Sequence, residues 1–134
     1  MAPNKTGENC VFETRTSKIW FEDGILRVVH QSHICITLDD AQKNIAAGIK
    51  ATNGHEAPVL VNIGQIRSVE RAARTYLASD ELQKNGVAAI ALLIASPVSK
   101  VIGDFFITLA KPVVPTKLFT SETKALEWLR QFCE

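Results

Sequence analysis

The chain has 134 residues, of which 46% are apolar and 22% charged, and its formal net charge is +1. This length fits one domain, which can bury roughly two thirds of its unfolded surface without disulfides or metals. The composition excludes a disordered chain, and the charge gives no general attraction to nucleic acid or acidic membranes. Any electrostatic site must therefore be local.

Cysteine usage and hydropathy predict a cytoplasmic protein. Cys10, Cys35 and Cys133 are odd in number and lack the spacing of metal ligands, as expected for thiols in a reducing compartment. Residues 1–17 are polar and lack the apolar core of a signal peptide, so we predict a flexible leader there and one domain over residues 18–134. The longest apolar run, residues 87–95, is about half of a membrane helix, which predicts no membrane span.

The first structured unit is predicted to be a β-hairpin. Residues 18–22 and 25–30 are strand-like runs, and Asp23-Gly24 between them tolerates positive φ in a tight turn. A helix then begins after Thr37, a good N-terminal cap, and ends at Asn53-Gly54, which accepts the left-handed conformation.

Alternating strands and helices follow. Strands are predicted at residues 59–63, 87–95 and 116–119, and helices open at Ser68, at Ser96-Pro97 and at Thr120 or Ser121. The core strands begin about 30 residues apart, the length of one βα unit. The pattern predicts a single α/β domain of order β-β-α-β-α-β-α-β-α, with a mainly parallel sheet and a right-handed βα superhelix.

Three stretches carry a family resemblance: residues 59–71, residues 95–100 through Lys111-Pro112, and residues 115–120. With the leading hairpin, they resemble the STAS (SpoIIAA-like) family of bacterial anti-sigma-factor antagonists, and more narrowly an uncharacterised group of bacterial STAS-like proteins. The resemblance covers about residues 18–132. It implies a four-turn βα superhelix and a non-enzymatic regulatory domain that binds a protein partner.

The resemblance also singles out one serine. In the antagonists, a serine at the start of the helix after the second core strand is the phosphorylation switch, and Ser68 matches that position. The antagonists place aspartate before this serine, and a small or hydroxyl residue and then glycine after it. This chain departs from that pattern, since it reads Arg67-Ser68-Val69-Glu70.

Physical chemistry suggests two roles for Ser68, which we expect to open the second helix. Helix amides, together with Arg67, Arg71 and Arg74, would bind a phosphate or another anion. In the ordinary alternative, Ser68 only caps the helix, and the arginines form a solvated face partly paired with Glu70. The predicted working surface runs from Gly64 to Arg74.

The third helix, residues 97–111, is more apolar than one core-facing stripe requires. Its predicted buried stripe contains Val98, Val101, Ile102, Phe105, Phe106 and Leu109. Either neighbouring loops bury the whole helix, or part of it forms an exposed apolar surface for a homodimer, a partner or a lipid-like ligand. That surface would contain Phe105, Phe106, Ile107, Leu109 and Trp128. The alternative function is therefore a small-ligand or lipid-binding domain.

Catalytic and metal signatures are weak. His30, His33 and Cys35 lack a fourth ligand at a sensible spacing, and Asp39 and Asp40 have no nucleophile tied to them. A Gly-rich phosphate loop, Cys-x-x-Cys and a serine elbow are missing. We predict no enzyme, no metal, no cofactor and no nucleic-acid binding, and the expected partner is an unidentified protein.

Overall fold

The structure, a computed structural model, describes residues 10–133, without the side chains of Phe105, Leu109 and Ala110. The strands are β1 (Phe12–Glu13), β2 (Ser17–Glu22), β3 (Ile25–His30), β4 (Cys35–Ile36), β5 (Ala57–Gly64), β6 (Ser68–Val69), β7 (Val87–Ile94) and β8 (Thr116–Phe119). The helices are α1 (Leu38–Thr52), α2 (Arg71–Ala78), α3 (Glu81–Lys84), α4 (Pro97–Phe105) and α5 (Glu122–Arg130). A π-helical segment, Phe106–Ala110, continues α4.

Two sheets organise these elements. The main sheet has six strands in the order β1-β2-β3-β5-β7-β8, antiparallel from β1 to β3 and parallel from β3 to β8. Because β3, β5, β7 and β8 are neighbours in chain order, each helical connection returns the chain to the next position in the sheet. Strands β4 and β6 form a separate parallel pair. The predicted α/β domain with a mainly parallel sheet is confirmed.

Local sequence accounts for the hairpin and the ends of α1. Asp23 and Gly24 have φ of 54° and 77°. Two positive values are typical of the tight turn whose twist matches that of the strands it joins, here β2 and β3. The Thr37 hydroxyl accepts from the amide of Asp40 at 3.1 Å, and the Asp40 carboxylate accepts from the amide of Thr37 at 2.9 Å. This reciprocal capping begins α1, and Asn53, with φ of 59°, ends it.

The predicted leader is wrong over its last residues, which belong to the domain. Phe12–Glu13 pairs with β2, and Thr16 and Ser17 are buried. Arg15 Nε donates to Asp40 Oδ1 at 3.0 Å, and its Nη2 donates to the Cys35 carbonyl at 3.0 Å. No local pattern predicts this contact, because Arg15 and Asp40 are 25 positions apart. Residues 1–9 of the predicted leader lie outside the described part of the chain.

The main sheet has two unequally covered faces. On the first face, strand residues such as Val59 and Leu92 pack with residues of α1, α2 and α3 and with Phe106. On the second face, Leu60 and Ala91 pack against α5. Neighbouring strand residues fall on opposite faces because side chains alternate along a strand. Helices α1, α2, α3 and α4 therefore share the first face, whereas α5 lies on the second.

Over residues 10–133, no helix combines the length and the hydropathy needed to cross a bilayer.

The Asp40 carboxylate gives the fold a testable dependence on pH. Hydrogen bonds from Arg15 lower the pKa of Asp40 from 3.8 to about 2. Because the folded pKa is the lower one, the stabilisation is complete above about pH 4 and is lost as the pH falls toward about 2. We expect Asp40→Ala to lower the free energy of unfolding by about 2 kcal/mol at neutral pH, since it removes a cap and charged hydrogen bonds. Urea denaturation should show that this difference shrinks below about pH 4.

Asp39→Ala is the matched control, because Asp39 pairs with Lys43 only at the exposed surface of α1. Its effect should stay below about 0.5 kcal/mol. Equal losses from the two variants, or a loss for Asp40→Ala that persists unchanged at about pH 2, would contradict this assignment.

Candidate functional site

The connection from Gly64 to Arg74, hereafter the 64–74 surface, leaves the carboxyl end of the central strand β5. Its main chain bonds to the segment before α1. The amide of His33 donates to the Gln65 carbonyl at 2.8 Å, and the amide of Arg67 donates to the Ile34 carbonyl at 2.9 Å. The amide of Glu70 donates to the Ile36 carbonyl at 2.8 Å. These bonds hold the connection extended and place it beside the start of α1.

Ser68 does not open the second helix, contrary to the prediction. It lies in β6, opposite Cys35 of β4, and α2 begins three residues later at Arg71. The residue that precedes α2, Glu70, makes no side-chain cap. Its carboxylate instead accepts from the amide of Leu38 at 3.3 Å, at the start of α1. Ser68 therefore does not cap α2. Val69 and Glu70 separate it from the first backbone amide of α2, that of Arg71.

The three predicted arginines have different surroundings. Arg67 and Arg71 are exposed on either side of Ser68, which is partly buried. Arg74 points inward, because its Nη1 donates to the Val69 carbonyl at 2.6 Å and its side chain lines a cavity. Arg67 and Arg71 are thus the exposed arginines of this surface. The third arginine fastens the end of β6 to α2.

An apolar cavity of about 160 Å³ lies behind the 64–74 surface. Its floor is the first face of the sheet, where Val61 is only partly buried although β5 is a central strand. The helices contribute Ile45 and Gly48 of α1 and Leu77 of α2 to the walls, while Ile66 and Val69 of the connection complete them. The cavity therefore lies between these two helices and the middle of the sheet.

The size of this cavity is unusual for a core. Protein interiors leave few voids larger than a water molecule. An engineered apolar cavity of about 150 Å³ binds benzene. The geometry therefore suits a small apolar molecule.

His30 contributes a neutral imidazole to the cavity wall. Burial lowers the pKa of His30 to about 4, against the smaller opposite effect of a hydrogen bond to the backbone of Asn62. The ring is therefore uncharged at neutral pH. Its Nδ1 atom is buried and has no hydrogen-bond partner in the structure over residues 10–133. The alternation of Leu26, Val28 and His30 in β3 is the sequence signal that would have placed this ring on the first face.

The predicted metal candidates do not form a site. His30 faces the cavity, whereas His33 and Cys35 are exposed. Across the part of the chain that the structure describes, no three histidine, cysteine or acidic side chains gather closely enough to hold a metal ion.

The predicted apolar surface on the third helix does not form as one patch. Phe106 is buried in the core, and Ile107 packs partly buried against the same core. Trp128 lies on the second face, where its ring centroid is 5.0 Å from that of Phe132. The predicted members Phe105 and Leu109 have side chains outside the description.

The buried stripe of α4 also differs from the prediction, since Val98 and Val101 are 54% and 64% exposed. The inward positions are Ser99, Ile102, Gly103 and Phe106. The Ser99 hydroxyl accepts from the amide of Ser96 at 3.0 Å, so it is buried without cost. At Gly103, a Cβ would lie 2.6 Å from Leu118 Cδ2, so a larger residue would require the Leu118 side chain to move. A pattern of apolar residues alone misses both positions.

One family model matches nearly the whole chain. The family model described as "Domain of unknown function (DUF7793)" matches residues 19–133. No curated protein sequence shows a significant match.

Two solved bacterial structures share the fold. One is an uncharacterised protein of the DUF3478 family with a SpoIIAA-like fold from Shewanella loihica, at 14% identity over 90% of each chain and a TM-score of 0.55. The other is an anti-sigma factor antagonist from Mycobacterium paratuberculosis, at 16% identity over 86% of this chain and 93% of that chain and a TM-score of 0.58. At these identities the likeness shows the fold, and the predicted STAS-type, SpoIIAA-like fold is confirmed.

The position of Ser68 outside α2 predicts a small effect on stability when its hydroxyl is removed. We expect Ser68→Ala to change the free energy of unfolding by less than about 0.5 kcal/mol in urea denaturation. Ser96→Ala is the matched comparison, because the Ser96 hydroxyl caps α4 by accepting from the amide of Ser99 at 3.1 Å. That variant should lose about 1 kcal/mol. A loss for Ser68→Ala as large as that for Ser96→Ala would mean that Ser68 is a cap after all.

Proposed function

This chain belongs to the family DUF7793, and we propose that it is a non-enzymatic regulatory domain that binds a protein partner through its 64–74 surface. The fold is consistent with this proposal, since one structural neighbour is an anti-sigma factor antagonist. A cytoplasmic location and a homodimer remain predictions.

The observation that carries the proposal is the placement of the 64–74 surface at the carboxyl end of β5. Open α/β sheets commonly bind their ligands beyond the carboxyl ends of the parallel strands. Here the chain adds a second strand pair at that end, and Arg67 and Arg71 are exposed on it. Main-chain hydrogen bonds to the segment before α1 give this surface a defined shape, which a docking partner requires.

Ser68 is the proposed modification site within this surface. A phosphate there would meet the exposed guanidiniums of Arg67 and Arg71 and not a helix terminus. An acidic partner surface would pair with the same two arginines when Ser68 is unmodified. Phosphorylation would then compete with the partner for these cations, so that modification weakens binding.

A second candidate function is the binding of a small apolar ligand, and the cavity favours it. We expected the third helix to supply this site, and its described residues Ile102, Gly103 and Phe106 contribute to the lining. Most of the lining comes from α1 and the first face of the sheet.

Affinity capture from the native host tests the partner surface. We expect Arg67→Ala and Arg71→Ala each to reduce recovery of a specific partner by roughly five- to tenfold, since each removes a charge from the contact. Ser68→Asp should reduce recovery in the same direction. Quantitative mass spectrometry of the captured proteins provides the readout.

Lys124→Ala is the matched control, because Lys124 is exposed on α5 at the other face of the sheet. This variant should recover the partner at the wild-type level. If all four variants recover the same proteins in equal amounts, the proposed surface is wrong.

A further inference from the structure

We infer that the cavity behind the 64–74 surface is a binding site for a compact, uncharged and mostly apolar molecule that carries one hydroxyl group, and that its occupancy regulates the surface. The regulatory part rests on the proposed function, whereas the binding part does not. The volume of the cavity, the charge of its lining and an unpartnered nitrogen of His30 support this inference.

Volume and shape set the size of the ligand. The space of about 160 Å³ accommodates one six-membered ring with a small substituent, as the comparison with an engineered benzene site indicates. Val61 on the floor and Ile45 and Leu77 on the walls are all only partly buried, so each keeps apolar surface for a ligand to cover. The ligand would complete the packing that the side chains leave unfinished.

The lining favours a neutral ligand. Most of its side chains are apolar, His30 is uncharged at neutral pH, and the Arg74 guanidinium, which keeps its charge, donates to the Val69 carbonyl. A carboxylate or phosphate would lose its hydration against the apolar walls, and pairing with Arg74 would compensate only part of that cost. A neutral molecule therefore enters at lower cost.

The unpartnered nitrogen of His30 selects the polar group. Buried polar atoms in proteins nearly always have a hydrogen-bond partner, yet His30 Nδ1 has none over residues 10–133. In the neutral ring one nitrogen carries the proton and the other accepts a hydrogen bond, and we assign the accepting role to the unpartnered Nδ1. A hydroxyl donates to such an acceptor. Because the Nδ1 atom is covered by its neighbours, a small rotation of the ring must accompany binding.

Shared residues couple the cavity to the surface. Ile66, Val69 and Arg74 line the cavity, and all three belong to the 64–74 surface. A ligand that packs against Val69 would fix β6, which follows Arg67 and contains Ser68, and the start of α2 at Arg71. Occupancy would thereby favour one arrangement of the partner surface.

An NMR titration of the isotope-labelled protein tests the ligand class with three probes of equal ring size: benzyl alcohol, toluene and benzoate. Benzyl alcohol should bind saturably and about fivefold more tightly than toluene, because it adds one hydrogen bond. Benzoate should not bind. Amide shifts should appear at Val61, Ile66 and Leu77 and extend to Arg67 and Ser68. Leu126, on the second face, should not respond.

Variants separate the cavity from the surface of the protein. Val61→Phe fills the space and should weaken both neutral probes at least about tenfold without lowering the thermal midpoint. Ile45→Phe, on the opposite wall, provides a second filled variant if Val61→Phe does not fold. Val98→Phe, which adds the same ring at an exposed position outside the cavity, should bind as wild type does. His30→Leu should abolish the preference for the alcohol and keep toluene binding.

Three outcomes would overturn the inference. If neither neutral probe binds saturably, the cavity is not a binding site. If benzoate binds most tightly, the ligand class is not a neutral molecule. If the amide shifts do not reach Arg67 and Ser68, occupancy does not regulate the surface. Because the titration needs no partner, failure of the affinity capture would leave a positive titration standing, so the two proposals fail separately.

Discussion

The parallel pairing of β5 with β3 on one side and β7 on the other is the constraint on which the rest of the structure depends. Val59 lies opposite Leu26 of β3 and opposite Ile90 of β7, so this register aligns three apolar positions on the first face. The same register brings the chain out of the sheet at Gly64, beside the residues that follow β3. Both the position of the proposed partner surface and the floor of the cavity are therefore consequences of where β5 lies.

The helices on the first face do not close over β5 completely. α1 packs against β2 and β3 and also contacts α2, while α4 packs against β7, and the cavity lies between these helices and the sheet. Arg74 and Val69 line this space, and the hydrogen bond from Arg74 to the Val69 carbonyl joins the second strand pair to α2. A stable core requires close packing, whereas a binding site requires free space. The first face of the sheet contains both. The packing under α1 stabilises the fold, while the gap beside it leaves room for a ligand.

Sequence reasoning recovers the elements that depend on local chemistry. Asp23-Gly24 predicts the hairpin, Thr37 with Asp40 predicts the start of α1, and Lys111-Pro112 predicts where the third helix stops. It fails at Ser68, because a strand of two residues has no periodicity and is held by main-chain bonds to a segment more than 30 positions away. It also fails at Val98 and Val101, where buried small residues such as Ser99 and Gly103 define the inner stripe. The cavity is beyond local reasoning, because its apolar lining has the same pattern as a filled core.

The central claim is that residues 64–74 form the partner-binding surface, and site-specific photo-crosslinking in the native host tests it most directly. A photoreactive phenylalanine analogue at position 67 should capture one discrete partner protein, and the same analogue at position 124 on α5 should not. A discrete partner crosslinked from position 124 and none from position 67 would contradict the account, since the partner would then bind the opposite face of the sheet.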